Sequence, residues 1–348
     1  MTPTPVDRTP VDPTAVDVVD DLHPDDRVRV ERGYAVAERV TAEHGRTYHL
    51  GTRLLPEHRR RAVYALYGFA RLVDDVVDVD PDSAVTDGVV DPGTSIWSSP
   101  DADPLDPTTV VNALDDSLRR ALSARRSPGT RLPVDADDRI LALADTIVGF
   151  DIPEDHFSAF MVSMRMDLPG DPLFRDRYAT FDDLDVYMYG SASVIGLQMV
   201  PILGSSDPEA ALPLAAALGE AFQLTNFIRD VGEDLDRDRI YLPTDELAAF
   251  GVDEEMLRDA RRSGISPPSL QRALAHCIAV TRARYRVAEP GIALLDRRSR
   301  PAIRAAFELY RDILEEIEAA DHHILGRRVA VGTPRRARRA MGAVVRGG

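Results

Sequence analysis

The sequence predicts an all-α protein. Apolar residues recur at i, i+3 and i+4 through most of the chain, and alternating strand patterns are nearly missing. Helix-start signals also head the apolar runs, as where Asp207 precedes Pro208 and Glu209.

The elements follow in order. Residues 1–29 are rich in Pro, Asp and Val without helical periodicity, and are expected to be a disordered acidic leader. A helical pattern starts at Glu31. Residues 59–78 place Val63, Leu66, Ala70, Val73 and Val77 on one stripe. Residues 80–107 carry Pro, Gly, Asp and Ser throughout, hold the one tryptophan, Trp97, and read as a loop insertion. Helical patterns then cover 108–123, 137–149, 153–166, 184–203, 208–234, 253–262, 267–288 and 301–325. The expected organisation is one domain over 30–326, followed by a basic tail at 327–348.

Composition narrows the function classes. Hydrophobic residues make up 44% and charged residues 29% of the 348, the balance of a globular domain with a sizeable core. The net charge of −16 argues against a nucleic-acid partner, because phosphate backbones repel such a surface. No run of eighteen apolar residues exists, so no membrane span is expected. The single cysteine, Cys277, leaves no disulfide and no cysteine zinc site, and with a start unlike a secretory signal this fits a cytoplasmic protein. After Asp321 the chain has no acid and seven Arg, beginning at Arg327 and Arg328. That tail either binds an anionic membrane surface peripherally or pairs with the protein's own acid.

Two acidic motifs stand on otherwise apolar helices. One is Asp74-Asp75-Val76-Val77-Asp78; the other contains Asn226, Asp230 and Asp234. In each, oxygens recur at i and i+4 and leave one helix face a turn apart. A single such pair is commonly a solvated surface feature. Two pairs among core-like neighbours (Phe69, Val73 and Val77; Phe222, Leu224, Phe227 and Ile228) need partners, usually a metal or Arg. Mg²⁺ takes hard oxygen ligands and keeps waters and substrate phosphates in its shell, so facing motifs are expected to hold Mg²⁺ around a diphosphate. Arg71 and Arg229 either donate to that diphosphate or pair with neighbouring acids. Tyr48, Tyr67, Tyr187, Tyr189 and Phe222 either line an apolar tunnel, steadying a carbocation through their ring faces, or are plain core. The small residues from Gly190 to Gly196 fit either a polyprenyl chain against the backbone or close helix packing.

On the segments 44–56, 62–78, 187–204 and 221–243, with a weaker one at 310–331, the chain resembles the squalene/phytoene synthase family. The block from Gln223 to Pro243 is the most specific. The resemblance implies a single-domain helical bundle around a central cavity, of the isoprenoid synthase type. It also implies a prenyltransferase of isoprenoid and carotenoid biosynthesis, joining two geranylgeranyl diphosphates head to head into phytoene through a cyclopropylcarbinyl diphosphate. By position it implies Mg²⁺ (or Mn²⁺) at Asp74, Asp78, Asn226, Asp230 and Asp234, with no nicotinamide. His44, Arg46, Arg71, Tyr310 and Arg327 resemble diphosphate-contacting positions, and Tyr187 and Gln223 cavity positions. Two positions depart: Gly45 stands where Ser is frequent, and His49 where an aromatic is usual. Other readings are a fifteen-carbon head-to-head synthase making dehydrosqualene, presqualene diphosphate or squalene, a class I terpene cyclase, or an inactive assembly factor of the same fold.

Overall fold

The computed structural model describes residues 21–78 and 106–326, and within these the side chains of residues 46–48 are left aside. Thirteen α-helices are present among the described residues: α1 Pro24–His44, α2 Arg46–Thr52, α3 Glu57–Val77, α4 Pro107–Arg126, α5 Asp138–Gly149, α6 Asp155–Met166, α7 Phe181–Met188, α8 Val194–Leu203, α9 Pro208–Asp236, α10 Thr244–Ala248, α11 Glu254–Ser263, α12 Pro268–Ala288 and α13 Arg300–Ala319. A π-helical turn, Tyr189–Ser193, joins α7 to α8, and a 3₁₀ segment, Glu289–Leu294, follows α12. Extended pairing among the described residues is limited to two isolated bridges, Arg177 with Ile240 and Ser205 with Leu295. The expected all-α class is what the fold shows.

Local chemistry explains the helix starts. Asp106 accepts from Thr109 N at 3.1 Å, Asp207 from Ala210 N at 3.1 Å and Asp253 from Met256 N at 2.8 Å, each satisfying an orphan donor of a first turn. Thr180 and Asp183 form a reciprocal capping box at the head of α7.

Three boundaries differ from the sequence reading. The first helix begins at Pro24, inside the expected leader, because Asp26 is buried and accepts from Arg131 Nε at 2.7 Å and Leu132 N at 3.1 Å. Pro107, expected in the loop insertion, is instead the first residue of α4, since Asp106 caps it; residues 80–105 of that insertion, with residue 79, the leader to 20 and the tail from 327, lie outside the described residues. The last helix stops at Ala319 rather than 325, because Asp321 and His322 take left-handed φ values of 50° and 60°.

The core falls into two apolar clusters. One is built on α1, α3–α6 and α8, around Phe69, Val73, Leu114, Leu143, Met161 and Ile202. The other is built on α9 and α11–α13 with α7, around Leu184, Leu224, Ile228, Leu274, Phe307 and Ile317. Each cluster therefore anchors one acidic motif: α3 belongs to the first, α9 to the second. The segment Phe181–Leu203 is long and apolar enough to cross a membrane by length and composition alone. More than half of its apolar window is buried in the protein, and it lines the internal cavity.

Candidate active site

A cavity of about 570 Å³ lies between the two clusters, lined by residues of both. Along α9 its walls run from Ala211 to Asp234, a rise of about 34 Å. One end is apolar, with Leu203, Ala211, Ala215, Leu295 and Ala302. The other collects Arg71, Asp74, Asp78, Asn226, Arg229, Asp230, Asp234, Arg237 and Arg239.

The helical spacing explains that polar mouth. On α3, Asp74 and Asp78 share the cavity face, whereas Asp75 turns outward and pairs with Arg71 four residues earlier. On α9, Asn226, Asp230 and Asp234 descend one face a turn at a time. Burial beside Asp78 pushes the Asp74 carboxyl up to about 7. Burial beside Asp230 pushes Asp234 up to about 8. Both shifts mean that negative charge is being held where the protein's own cations do not neutralise it.

Arginines offset part of that charge. Arg229 grips its neighbour Asp230 bidentately, its Nε 2.7 Å from Oδ1. Asp78 is approached by Arg237 at 3.3 Å and Arg239 at 3.4 Å, both from the chain just after α9. Arg239 also donates to the Asp167 backbone carbonyl at 3.0 Å.

This donor set fits Mg²⁺. The buried Oδ1 of Asn226 finds no hydrogen-bond acceptor role among the described residues, although Nδ2 of the same amide donates to Gln223 at 3.3 Å. Unspent hard oxygen beside carboxylates with raised affinity for protons is the donor chemistry a divalent cation takes. No three His, Cys, Asp or Glu side chains converge closely enough among the described residues to enclose an ion alone. An ion held here would complete its shell with water and substrate phosphate, as Mg²⁺ does.

The middle of the cavity is aromatic. Tyr187 and Tyr241 lie with ring centroids 5.4 Å apart, and Phe227 stacks on Tyr241 at 4.2 Å. Both hydroxyls turn onto Asp167, Tyr187 at 2.6 Å and Tyr241 at 2.8 Å. Burial raises the Asp167 carboxyl, with Arg239 and the two hydroxyls acting the other way. Burial and Asp167 together hold both phenols well above their ordinary range, so they remain donors.

The structure sorts the sequence candidates. It brings Arg71, Asp74, Asp78, Tyr67, Tyr187, Phe222, Gln223, Asn226, Arg229, Asp230 and Asp234 to the cavity wall. Tyr310 stands one layer behind, stacked on Phe222 at 4.2 Å. His44 is an exposed residue in the last turn of α1, off the cavity wall but near enough to Asp75 to act on its carboxyl electrostatically. Tyr189 is 52% exposed and faces out, because residues two apart on a helix point to nearly opposite sides and Tyr187 takes the inner one. The side chains of Arg46 and Tyr48, and Arg327, lie outside the described residues.

The small residues at 190–196 divide between helix packing and the cavity wall. A Cβ on Gly190 would meet the Ala159 carbonyl at 2.1 Å, so that position is helix packing, whereas Ser191, Ala192 and Ile195 line the cavity. At Gly45 a Cβ would stand 2.8 Å from the Tyr67 ring, so the missing side chain gives this tyrosine its place on the wall. His49 stacks on Tyr64 at 5.7 Å. The sequence reading missed Asp167, Arg237, Arg239 and Tyr241. The last three sit in the block that carries the resemblance, and Asp167 is a lone acid closing the apolar helix α6.

Comparison with known proteins agrees with this geometry. The family model described as squalene/phytoene synthase matches residues 41–335. A 15-cis-phytoene synthase from Synechocystis sp. is 33% identical over 318 residues, 88% of this chain and 83% of that protein. A phytoene synthase from Arthrospira platensis is 32% identical over 319 residues, 86% and 88% of the two chains. Among solved structures, a dehydrosqualene synthase in complex with ligand superimposes with a TM-score of 0.73 at 23% identity, over 92% of this chain and 98% of that one. At that identity the last likeness speaks to the fold.

Proposed function

This chain belongs to the squalene/phytoene synthase family, and on that premise we propose that it joins two geranylgeranyl diphosphates head to head to give phytoene. It is a prenyltransferase of isoprenoid and carotenoid biosynthesis. The observation that carries the reading is the cavity itself: two carboxylate motifs and four arginines at one mouth, and an apolar channel behind it.

The residues divide the work. Asp74, Asp78, Asn226, Asp230 and Asp234 would hold Mg²⁺, with Mn²⁺ as a substitute. When bound, it supplies positive charge to the departing diphosphates. Arg71, Arg229, Arg237 and Arg239 stand within the same mouth to donate to diphosphate oxygens. The aromatic wall of Tyr187, Phe227 and Tyr241 lies where an allylic cation leaves the mouth and enters the channel. The double bond of the second donor attacks that cation, giving a cyclopropylcarbinyl diphosphate; a second ionisation opens the ring. Each half expels one diphosphate and one proton, so no hydride donor is consumed and no nicotinamide is needed. The apolar channel keeps water from both cations.

The hydrocarbon product has to reach a bilayer. We place the protein in the cytoplasm, with the seven Arg of its C-terminal tail giving peripheral attachment to anionic lipid at about 1 kcal/mol per basic residue. Incubation with Mg²⁺ and either the twenty- or the fifteen-carbon donor, followed by product chromatography, tests the function. Phytoene without NADPH is the expected outcome, and strict preference for farnesyl diphosphate overturns it. Co-sedimentation with anionic vesicles, before and after truncation at Thr333, tests the tail; unchanged binding after truncation removes that part of the proposal.

A further inference from the structure

Among the described residues, Asp167 is the one acid on the cavity wall that belongs to neither motif. It closes α6, is 4% exposed, and receives both phenol hydroxyls. Burying a carboxylate costs several kcal/mol, and hydrogen bonds offset only part of that cost. Apolar residues would fill the same space with less penalty, so a packing role alone leaves the acid unexplained. Its two oxygens are each occupied by a tyrosine, which separates it from the motif acids that offer oxygen to a cation.

The arrangement has two chemical consequences. Both hydroxyl protons go to Asp167, so neither phenol can donate to a water beside the reacting carbons and hold it where it would trap a cation as an alcohol. A phenol donating to an anionic acceptor also carries more electron density in its ring, which strengthens attraction of a cation to the ring face. Both consequences act after diphosphate has left.

We propose that Asp167 is a positioning residue for the carbocation stage, fixing Tyr187 and Tyr241 as a dry, electron-rich wall. The inference rests on the head-to-head synthase reading. It separates two groups of acids by the step they serve: the motif acids serve ionisation, and Asp167 serves the fate of the cation once formed. Loss of Asp167 then lets water add to the cation, with one proton released and an alcohol formed, in place of ring closure or proton loss to the hydrocarbon.

The test is the full-length Asp167→Asn variant with Mg²⁺ and the twenty-carbon donor, reading diphosphate release and the product profile side by side. Diphosphate release is expected to stay within about threefold of wild type, and the ratio of alcohols plus cyclopropyl diphosphate to hydrocarbon to rise about tenfold or more. Tyr187→Phe added to Asp167→Asn is expected to change that ratio little, because the ring has already lost its charged acceptor. A parallel fall in diphosphate release and hydrocarbon, with the ratio unchanged, overturns the inference. If Asp167→Asn does not fold, Tyr241→Phe decides: a shifted ratio supports the inference and an unshifted one overturns it. Wild type in the same assay keeps the two readings apart. No hydrocarbon from wild type sinks the proposed function, whereas hydrocarbon from wild type with an unmoved ratio sinks only the role of Asp167.

Discussion

The two ends of the cavity solve opposite problems. At the mouth, like charges are crowded: Asp74 and Asp78 on α3 face Asp230 and Asp234 on α9, and burial raises two of the four carboxyls to about 7 and about 8. At the far end nothing is charged, and Ala211, Ala215, Leu203 and Ala302 leave space without polar anchor. On the proposed function, the mouth is costly in the metal-free protein and gains from the arrival of cations and diphosphate. The channel is apolar, and under the same proposal it selects the donor by length. Chemistry would then sit at one end and specificity at the other, joined by the long helix α9.

The largest expected effect breaks the mouth. Asp230→Asn should lower turnover about a thousandfold, because one carboxylate less leaves the departing diphosphate under-neutralised. The helical circular dichroism should stay unchanged, and a chelator should abolish wild-type activity, with Mg²⁺ or Mn²⁺ restoring it. Near-native turnover in this variant would remove Asp230 from the metal site.

A smaller effect is expected from the channel. Fifteen residues of α9 separate Ala215 from Asp230, a rise of about 22 Å. A diphosphate takes about 5 Å of that, and an extended twenty-carbon prenyl chain spans roughly 20 Å against roughly 15 Å for a fifteen-carbon one, at about 1.25 Å per bond. Ala215→Phe should thus cut use of the twenty-carbon donor about tenfold or more and spare the fifteen-carbon donor. Equal loss with both donors would mean that the channel does not measure length at this position.

The two ends also differed in how far the sequence disclosed them. The mouth was legible because its polar residues recur at helical spacing: Asp74 with Asp78, and Asn226 with Asp230 and Asp234, announce their common face within a few residues. The helices were legible for the same reason, down to the Asp207 cap. Asp167 was not, since its meaning depends on Tyr187 and Tyr241, residues 20 and 74 positions away that only tertiary packing brings to it. Arg237 and Arg239 reach Asp78 across about 160 positions, and no local pattern encodes such an approach. Tyr189 shows the converse error. Its type suited a tunnel wall, but the helical phase set by Tyr187 sends it to solvent.

A third prediction sharpens the contrast through stability. Burial beside a second carboxylate pushes Asp74 and Asp234 up to about 7 and about 8 in the fold, from 3.8 in the unfolded chain, so the metal-free folded state binds more protons between those values. Stability of the metal-free protein should accordingly be highest at low pH within that window and decline as pH rises from about 4 to about 8. Asp234→Asn removes one of the repelling charges. It should raise the metal-free melting temperature by several degrees at pH 8, a gain of about 2 kcal/mol that shrinks to nothing near pH 4. The same variant is expected to lose activity, which would make the acid that destabilises the empty mouth the acid that the reaction needs. A substitution at the far end, such as Ala215→Phe, should show no such pH dependence. Equal melting temperatures for Asp234→Asn and wild type at pH 8 would mean that the charge at the mouth is already relieved.

The smallest effect on either end should come from the N-terminus. Deleting residues 1–20 removes a Pro- and Asp-rich stretch whose composition cannot build a core, and should leave melting temperature, turnover and donor preference within error. Extending the deletion to 29 is a different matter. It takes away Asp26, the buried partner of Arg131, and Arg29, which donates to the Pro133 and Ala136 carbonyls at 2.8 and 2.6 Å. It also takes Asp21, 3.1 Å from the buried guanidinium of Arg125, which then keeps only Asp145 as its acid partner among the described residues. Breaking partly buried pairs of this kind costs about 2–4 kcal/mol, which lowers the melting temperature by several degrees. All of these contacts join α1 or the residues just before it to α4, α5 and the turn between them, and none of the residues lines the cavity. The longer deletion should therefore weaken the fold and leave the ratio of twenty- to fifteen-carbon turnover where it was. A shift in that ratio would mean that the start of α1 acts on the channel after all, and the division of labour between mouth and channel would have to include it.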